Sequence, residues 1–316
     1  MDEPLNHIPS RQNTDRFLEY IAAARSTYSR IKDLTAIQML FTVFFPIALS
    51  VFAVLRPERK VWAAFSGIIV SIIDVLIFEK LQKDWKKEAA RIQERLDCEL
   101  FELEWNDFKV GDKPSREKIH KASAAFLLKD SNVNRIKDWY SPHVERLPLY
   151  LATVVCQRSN IYWDSELRRG YVAWVTGLAL ALGVIALIAG LALKMSMETF
   201  VLSLLAPISP TLLWSIREIK KQRESATTLD RLMKYAQQLW RDAIDGALSA
   251  EQITKKSRTL QDELFAHRHS NQPIFDWINN LVRKRYEVQM NIGAEELVAE
   301  ALKARLPNDQ KAQESV

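Results

Sequence analysis

The chain has 316 residues, a formal net charge of +5, only two cysteines and only eight glycines. Cys98 and Cys156 stand outside any CxxC or Cys/His cluster, which excludes a disulfide framework. GxGxxG, P-loop, GxSxG and HExxH patterns are all missing, so the commonest nucleotide-binding, serine-hydrolase and zinc-protease signatures are excluded as well.

In chain order, residues 1–33 are polar, with acids and bases throughout. No apolar stretch near the start reads as a cleavable signal, so the first membrane segment is expected to target the chain itself. Leu34–Leu55 then carries no formal charge, Val61–Phe78 carries only Asp74, and Tyr171–Leu193 and Thr199–Ile216 carry none. Each run has the length that crosses roughly 30 Å of hydrocarbon as a helix, the conformation that satisfies every backbone N–H within the segment. The expected fold class is therefore an all-α integral membrane protein, with four transmembrane helices arranged as two hairpins.

Lysine and arginine set the expected orientation. Arg11, Arg16, Arg25, Arg30 and Lys32 precede the first span, and Lys80, Lys83, Lys86, Lys87, Arg91 and Arg95 follow the second. Arg158, Arg168 and Arg169 precede the third, and Arg217, Lys220, Lys221 and Arg223 follow the fourth. The hairpin turns are the short "RPERK" and "KMSME"; the first holds three bases, but the larger clusters outweigh it. Both termini and the middle segment are thus expected on the cytoplasmic side of a bacterial inner membrane. The bases gather at membrane edges, where anionic lipid attracts them, and not on a face suited to a nucleic-acid polymer. "RKR", Arg283–Arg285, is the one compact basic run far from a span and reads as a solvated helix face.

The soluble parts read as helices. Leu81, Trp85, Ala89, Ile92, Leu96 and Leu103 continue the second span as an apolar stripe, until "VGDKPS" interrupts it. A helix is expected from Ser115, then a turn region with Pro142 and Pro148. Leu229–Ala247 forms another stripe, "SAEQ" at Ser249–Gln252 fits a capping box, and two last helices are expected at Ile274–Val288 and Ala294–Leu306. The tail Pro307–Val316 is expected to fray. The organisation is then 1–33 cytoplasmic, 34–79 hairpin 1, 80–170 cytoplasmic with a distinct helix at 151–169, 171–216 hairpin 2, and 217–316 cytoplasmic. His267 and His269 make a lone HxH, a poor metal site, so no metal, cofactor or catalytic residue is expected.

The helix at 151–169 has no single wet face. At 100° per residue Arg158 falls inside an apolar stripe with Leu151, Val155 and Tyr162, while Gln157, Asp164 and Arg168 group on another side and Trp163 on a third. Asp164 precedes Arg168 by four, the favourable order for an ion pair. An interfacial lipid anchor explains Trp163, Arg168, Arg169, Tyr171 and Trp174. It does not explain Arg158, Asn160 and Asp164, which need specific partners when buried. The other reading is a coupling element, built from Gln157, Arg158, Asn160, Trp163, Asp164, Arg168 and Arg169, that passes movement to the third span.

The stretch "DWYSPHVERLPLYLATVVCQRSNIYWDSELRRGY", Asp138–Tyr171, followed by a membrane hairpin, resembles a bacterial family of four-transmembrane pore-forming effectors associated with SMODS-type nucleotide second-messenger synthases. Its most specific element is "CQRSNIYWDSELRR", Cys156–Arg169, and the likeness extends to the layout of the whole chain. The resemblance implies a role in antiphage defence: a nucleotide signal, a cyclic nucleotide in the simplest case, opens the protein and the membrane leaks. It assigns no catalytic residue.

Within the spans, Ala179, Gly183, Ala186 and Gly190 form a stripe of small residues for close helix packing, inside one chain or between subunits. Pro207 and Pro210 remove two backbone donors and are expected to kink the fourth span, as a structural bend or as a gate. Ser203 and Ser209 stand ready to recover freed carbonyls or to line water. Asp74 is either a pore or ligand residue or a carboxylate snorkelling to the nearby edge. Four spans are too few for a wide monomeric pore, so conduction requires a homo-oligomer. Two competing readings are a non-conducting membrane-anchored scaffold or receptor that recruits a cytosolic partner, and a lipid-modifying membrane enzyme; the second lacks a polar cluster at one depth.

Overall fold

Asp15–Met39 (α2) and Phe45–Leu55 (α3) form one long helical run, preceded by the short α1, Ile8–Arg11, and joined by a π-helical turn at Leu40–Phe44. A tight turn at Pro57–Arg59 leads to α4, Lys60–Ile73; a second π-helical turn, Asp74–Phe78, passes directly into α5, Glu79–Phe101. Then come α6 (Asp107–Val110), α7 (Arg116–Lys129), α8 (Leu149–Ala192) and α9 (Met197–Phe200), a third π-helical turn at Val201–Leu205, and α10 (Ala206–Ile244), α11 (Ala250–Ser270) and α12 (Asp276–Gln313). This computed structural model describes residues 5–129 and 133–313, apart from the side chains of residues 57, 60, 63, 64, 75, 77, 79, 129, 133 and 305–313. The described residues contain no strand.

Three described helical runs are long and apolar enough to cross a membrane: Asp15–Leu55, Leu149–Ala192 and Met197–Ile244. The second predicted span, Val61–Phe78, is divided between the 14-residue α4 and the π-helical turn that begins at Asp74. Two expectations need correction. The pair of C-terminal helices is one helix, α12, because nothing between Val288 and Ala294 breaks it: Gly293 is tolerated inside a helix. The same helix runs through the tail expected to fray as far as Gln313, and Glu314–Val316 lie outside the described residues.

The chain divides into two compact units, Met1–Tyr28 with Lys86–Leu167 and Ala226–Val316, and Ser29–Trp85 with Arg168–Ser225. The first has a core of the soluble kind. Tyr20, Ile92, Leu96, Phe101, Ile119, Tyr140, Leu147, Val154 and Val155 are at most 2% exposed and pack into one cluster. The 151–169 stretch threads this core, which is why it showed no wet face: Ala152, Val154, Val155, Cys156 and Ile161 are all buried. Local signals set the element ends. Ser249 caps α11 with a reciprocal capping box to Gln252, and Asn106 caps α6 through Lys109 N. Gly111 closes α6 at φ +79°, and a Cβ there would lie 2.2 Å from Arg91, whose Nε donates to Val110 O at 2.8 Å.

The second unit is built the other way round. Phe41, Phe44, Trp62, Phe65, Ile68, Leu178, Ile185, Leu187 and Leu191 are exposed, while Thr35, Gln38, Thr42, Ser50, Asp74, Gln82, Ser203, Thr211 and Ser215 are buried. In water this would forfeit the hydrophobic gain of burial; surrounded by lipid it is the stable arrangement. Gly67 allows close approach: a Cβ there would stand 3.0 Å from Ala206 O. Gly190 does the same against the ring of Phe200 across the second hairpin, at 2.6 Å.

Candidate functional site: a polar spine in the membrane unit

The buried polar residues of the second unit form connected groups. Gln38 Nε2 donates to Asp74 Oδ1 at 2.5 Å, and Arg217 Nη2 donates to Asp74 Oδ2. Gln82 Nε2 donates to Gln38 Oε1 at 3.0 Å and to Thr35 Oγ1 at 3.3 Å. Asp74 is 2% exposed, so its charge is compensated inside the unit and does not snorkel to the edge. Its partner differs: the Arg217 side chain is 40% exposed. A carboxylate this deep is costly without a partner, and here one end of the pair reaches the surface.

Prolines and hydroxyls explain the next groups. Pro46 has no N–H to give the carbonyl of Thr42, one turn earlier. Thr211 Oγ1 supplies a hydrogen instead, 3.0 Å from Thr42 O and 3.2 Å from Val43 O. Pro210 leaves Ala206 O free in the same way, and Ser209 Oγ donates to it at 2.8 Å. Ser50 Oγ donates to Leu204 O at 3.4 Å. Ser203 Oγ is fully buried and has no hydrogen-bond partner among the described residues. Each of the three π-helical turns carries one of these inward polar residues: Thr42, Asp74 and Ser203. Such turns concentrate at functional sites.

The small-residue stripe of α8 is not used uniformly. Ala186 and Gly190 are buried, Ala179 is half-buried, and Gly183 is exposed with open space around the position of a Cβ. At the start of the same unit, Arg168 Nη1 donates to Gln222 Oε1 at 2.5 Å, and Gln222 Nε2 donates to Glu218 Oε1 at 2.9 Å. Arg169 is exposed.

The remaining coupling residues lie in the first unit. Gln157 Nε2 donates to Ser257 O at 2.9 Å and Gln261 Oε1 at 3.0 Å. Asn160 Nδ2 donates to the Tyr140 hydroxyl at 2.9 Å, Trp163 packs edge-on against Tyr286, and Asp164 meets His267 Nδ1 at 3.4 Å. His267 is thus a buried partner of Asp164, and His269 stacks on Phe265. Arg158 is half-buried, and its Nε has no hydrogen-bond partner among the described residues. Burial holds it below the usual arginine range, against the pull of Glu296 and Glu300.

Beneath these residues lies a network that sequence reasoning missed. Glu94 accepts from Arg258 Nη2 at 2.5 Å and Gln261 Nε2 at 2.9 Å. Asp97 accepts from Arg268 Nη1 at 2.6 Å, Tyr140 OH at 2.8 Å and Gln261 Nε2 at 3.1 Å. Burial raises Glu94 above the usual carboxylate range, although Arg258 opposes it. Burial also pushes both thiols, Cys98 and Cys156, well up, away from the thiolate form. Among the described residues no His, Cys, Asp and Glu group is arranged to hold a metal.

A helical membrane bundle with a lipid-facing apolar shell and a polar interior, together with a helical unit whose core is of the soluble kind, defines an all-α integral membrane protein of few spans. Residues 6–297 match the SMODS-associating 4TM effector domain, and the chain belongs to that family. It is similar to a protein of Bacillus cereus (strain VD146) named "Probable CBASS effector molecule", with 26% identity over 228 residues, covering 69% of this chain and 76% of that protein. No solved structure matches.

Proposed function

We propose that this chain is a membrane effector of antiphage defence that permeabilises the bacterial inner membrane when a nucleotide second messenger reaches its cytoplasmic side. The family and the name of the Bacillus relative support the defence role. The observation that carries the permeabilising role is Asp74, buried in the membrane unit between Gln38 and a half-exposed Arg217, with further buried hydroxyls in the same unit. A purely anchoring bundle has no need of a buried carboxylate in its interior.

In this reading the closed state keeps Asp74 neutralised. Several chains assemble, and a signal sensed by the helical unit moves α8, whose 44 residues run without a break from buried core to apolar span. The Asp74–Arg217 pair separates and the polar spine lines water. The exposed Gly183 offers a close-packing position for a neighbouring chain. Both termini and the bases that flank the spans stay cytoplasmic.

The test is dye release from liposomes holding the purified protein, with a panel of cyclic nucleotides and with extract of phage-infected cells. Release on adding a nucleotide supports the reading and identifies the trigger. Protein that is folded, inserted and silent under every condition overturns it and favours a scaffold.

A further inference from the structure

The basic run Arg283–Arg285 reads in the sequence as a solvated helix face, but the structure places it beside an apolar one. On α12, Trp277, Leu281, Val288 and Ile292 are 52%, 66%, 58% and 50% exposed. Their spacing of four, seven and four residues sets them within about 60° of one another around the helix. Tyr286, on the opposite side about 150° from the centre of this line, is buried at 7%, and Ile278, about 70° from it, is buried at 2%. Lys284 and Arg285 are both exposed. They flank the apolar line, one on each side, about 50° from its centre. Arg283 turns away and binds Glu287 at 2.5 Å. Glu295 falls on the line one turn beyond Ile292 and ends the patch.

We infer that this face of α12, from Trp277 to Ile292, docks on an anionic lipid surface as a helix lying in the membrane plane. The apolar line seats at the boundary between headgroups and acyl chains, and Lys284 and Arg285 take the lipid phosphates. Four large exposed apolar side chains in register are not the scattered single residues of an ordinary surface. A second copy of the chain fits the face poorly. The line is symmetric about the midpoint between Lys284 and Arg285, so antiparallel self-pairing stacks this basic pair on its own copy. Parallel pairing sets Lys284 against Lys284. Both bury like charges together, and four side chains fall short of the roughly 800 Å² per partner that a stable interface uses. A bilayer supplies apolar depth and negative charge at once. The chain is already held in a membrane by its spans, so docking needs no encounter from bulk solution. The inference holds for a conducting or a silent bundle.

The experiment uses the full chain in vesicles of phosphatidylcholine, with or without phosphatidylglycerol. Cys98 and Cys156 are buried, so a Val288→Cys variant takes an environment-sensitive fluorophore at one place. Asn280→Cys, exposed a quarter turn from the line, is the control. The expected result is blue-shifted emission at position 288, quenched by spin-labelled lipid, only in the anionic vesicles, while the probe at 280 stays in water. Lys284→Glu with Arg285→Glu, shown by circular dichroism to keep its helix, lowers the docked-to-free ratio about 30-fold, and high salt acts in the same direction. Equal emission in both lipids overturns the inference. So does a signal that follows the protein-to-lipid ratio and not the lipid charge, which would assign the face to a second copy.

Discussion

In the unit built on α5, α8 and α11, Glu94 and Asp97 are fully buried among Arg258, Arg268, Gln261 and Tyr140, and the side chains of the two arginines are only 15% and 11% exposed. In the membrane unit Asp74 is as deeply buried but has two side-chain partners, Gln38 and an arginine that is half outside. The first arrangement is over-determined: two charges meet two charges, and, with the Cys98 thiol donating to Glu94 at 3.4 Å, each carboxylate keeps at least two partners when one is lost. The second loses its only charge compensation in one side-chain movement. On the proposed function, buried carboxylates serve two purposes in one chain, fixing a structure in one unit and holding a releasable state in the other.

Truncation of the first network is expected to have the largest effect. Arg268→Ala leaves Asp97 buried with neutral partners only and should destabilise the unit by about 3–5 kcal/mol; thermal unfolding in detergent checks this, and a near-wild-type midpoint would break the contrast. Asp74→Asn and Arg217→Gln should instead keep the fold and raise dye release without nucleotide. The loss of one charge-assisted hydrogen bond, about 1.5–3 kcal/mol, moves a two-state population by roughly tenfold or more. Tight vesicles with both variants would mean that the pair is structural after all.

The titration of Glu94 sharpens the comparison further. Its carboxyl binds a proton more readily folded than unfolded, so stability is lost as pH rises from the ordinary value of 4.5 through the raised folded value. Glu94→Gln should flatten that slope in a pH series of unfolding midpoints, and an unchanged slope would assign it to another group. Thr211→Val should have the smallest effect, about 1 kcal/mol, as the carbonyls of Thr42 and Val43 lose a donor. Hydrogen exchange at the Leu40–Phe44 turn should accelerate in that variant and nowhere else in the unit.

Three of the apolar runs, and the passage of 151–169 directly into one of them, were legible because absence of charge and apolar period are local properties. Asp74 stood out for the same reason. Its partners did not: Gln38 is 36 residues away, and Arg217 is 143 residues away and read as one of several flanking bases. Glu94 and Asp97 resemble the wet face of an amphipathic helix until Gln261 and Arg268 close over them. Pro207 and Pro210 stood out in the fourth span, where α10 nevertheless continues as one helix from Ala206 to Ile244, but Pro46, which frees the carbonyl that Thr211 satisfies, sits in a run that otherwise reads as uninterrupted helix. The π-helical turns have no signature in the sequence, because the extra residue is accommodated by packing and not by any residue type.

Those turns make the membrane helices adjustable screws. Each holds one residue more than an α-helical turn needs. If that surplus slides along the helix, hydrogen bonds break and re-form one at a time, and the residues passed rotate by about 100° and advance by about 1.5 Å. Thr42, Asp74 and Ser203 each sit inside such a turn. A shift of thread can carry a polar side chain out of the interior without melting a helix, and cysteines placed just beyond a turn would register it as an exchange of accessible for protected positions.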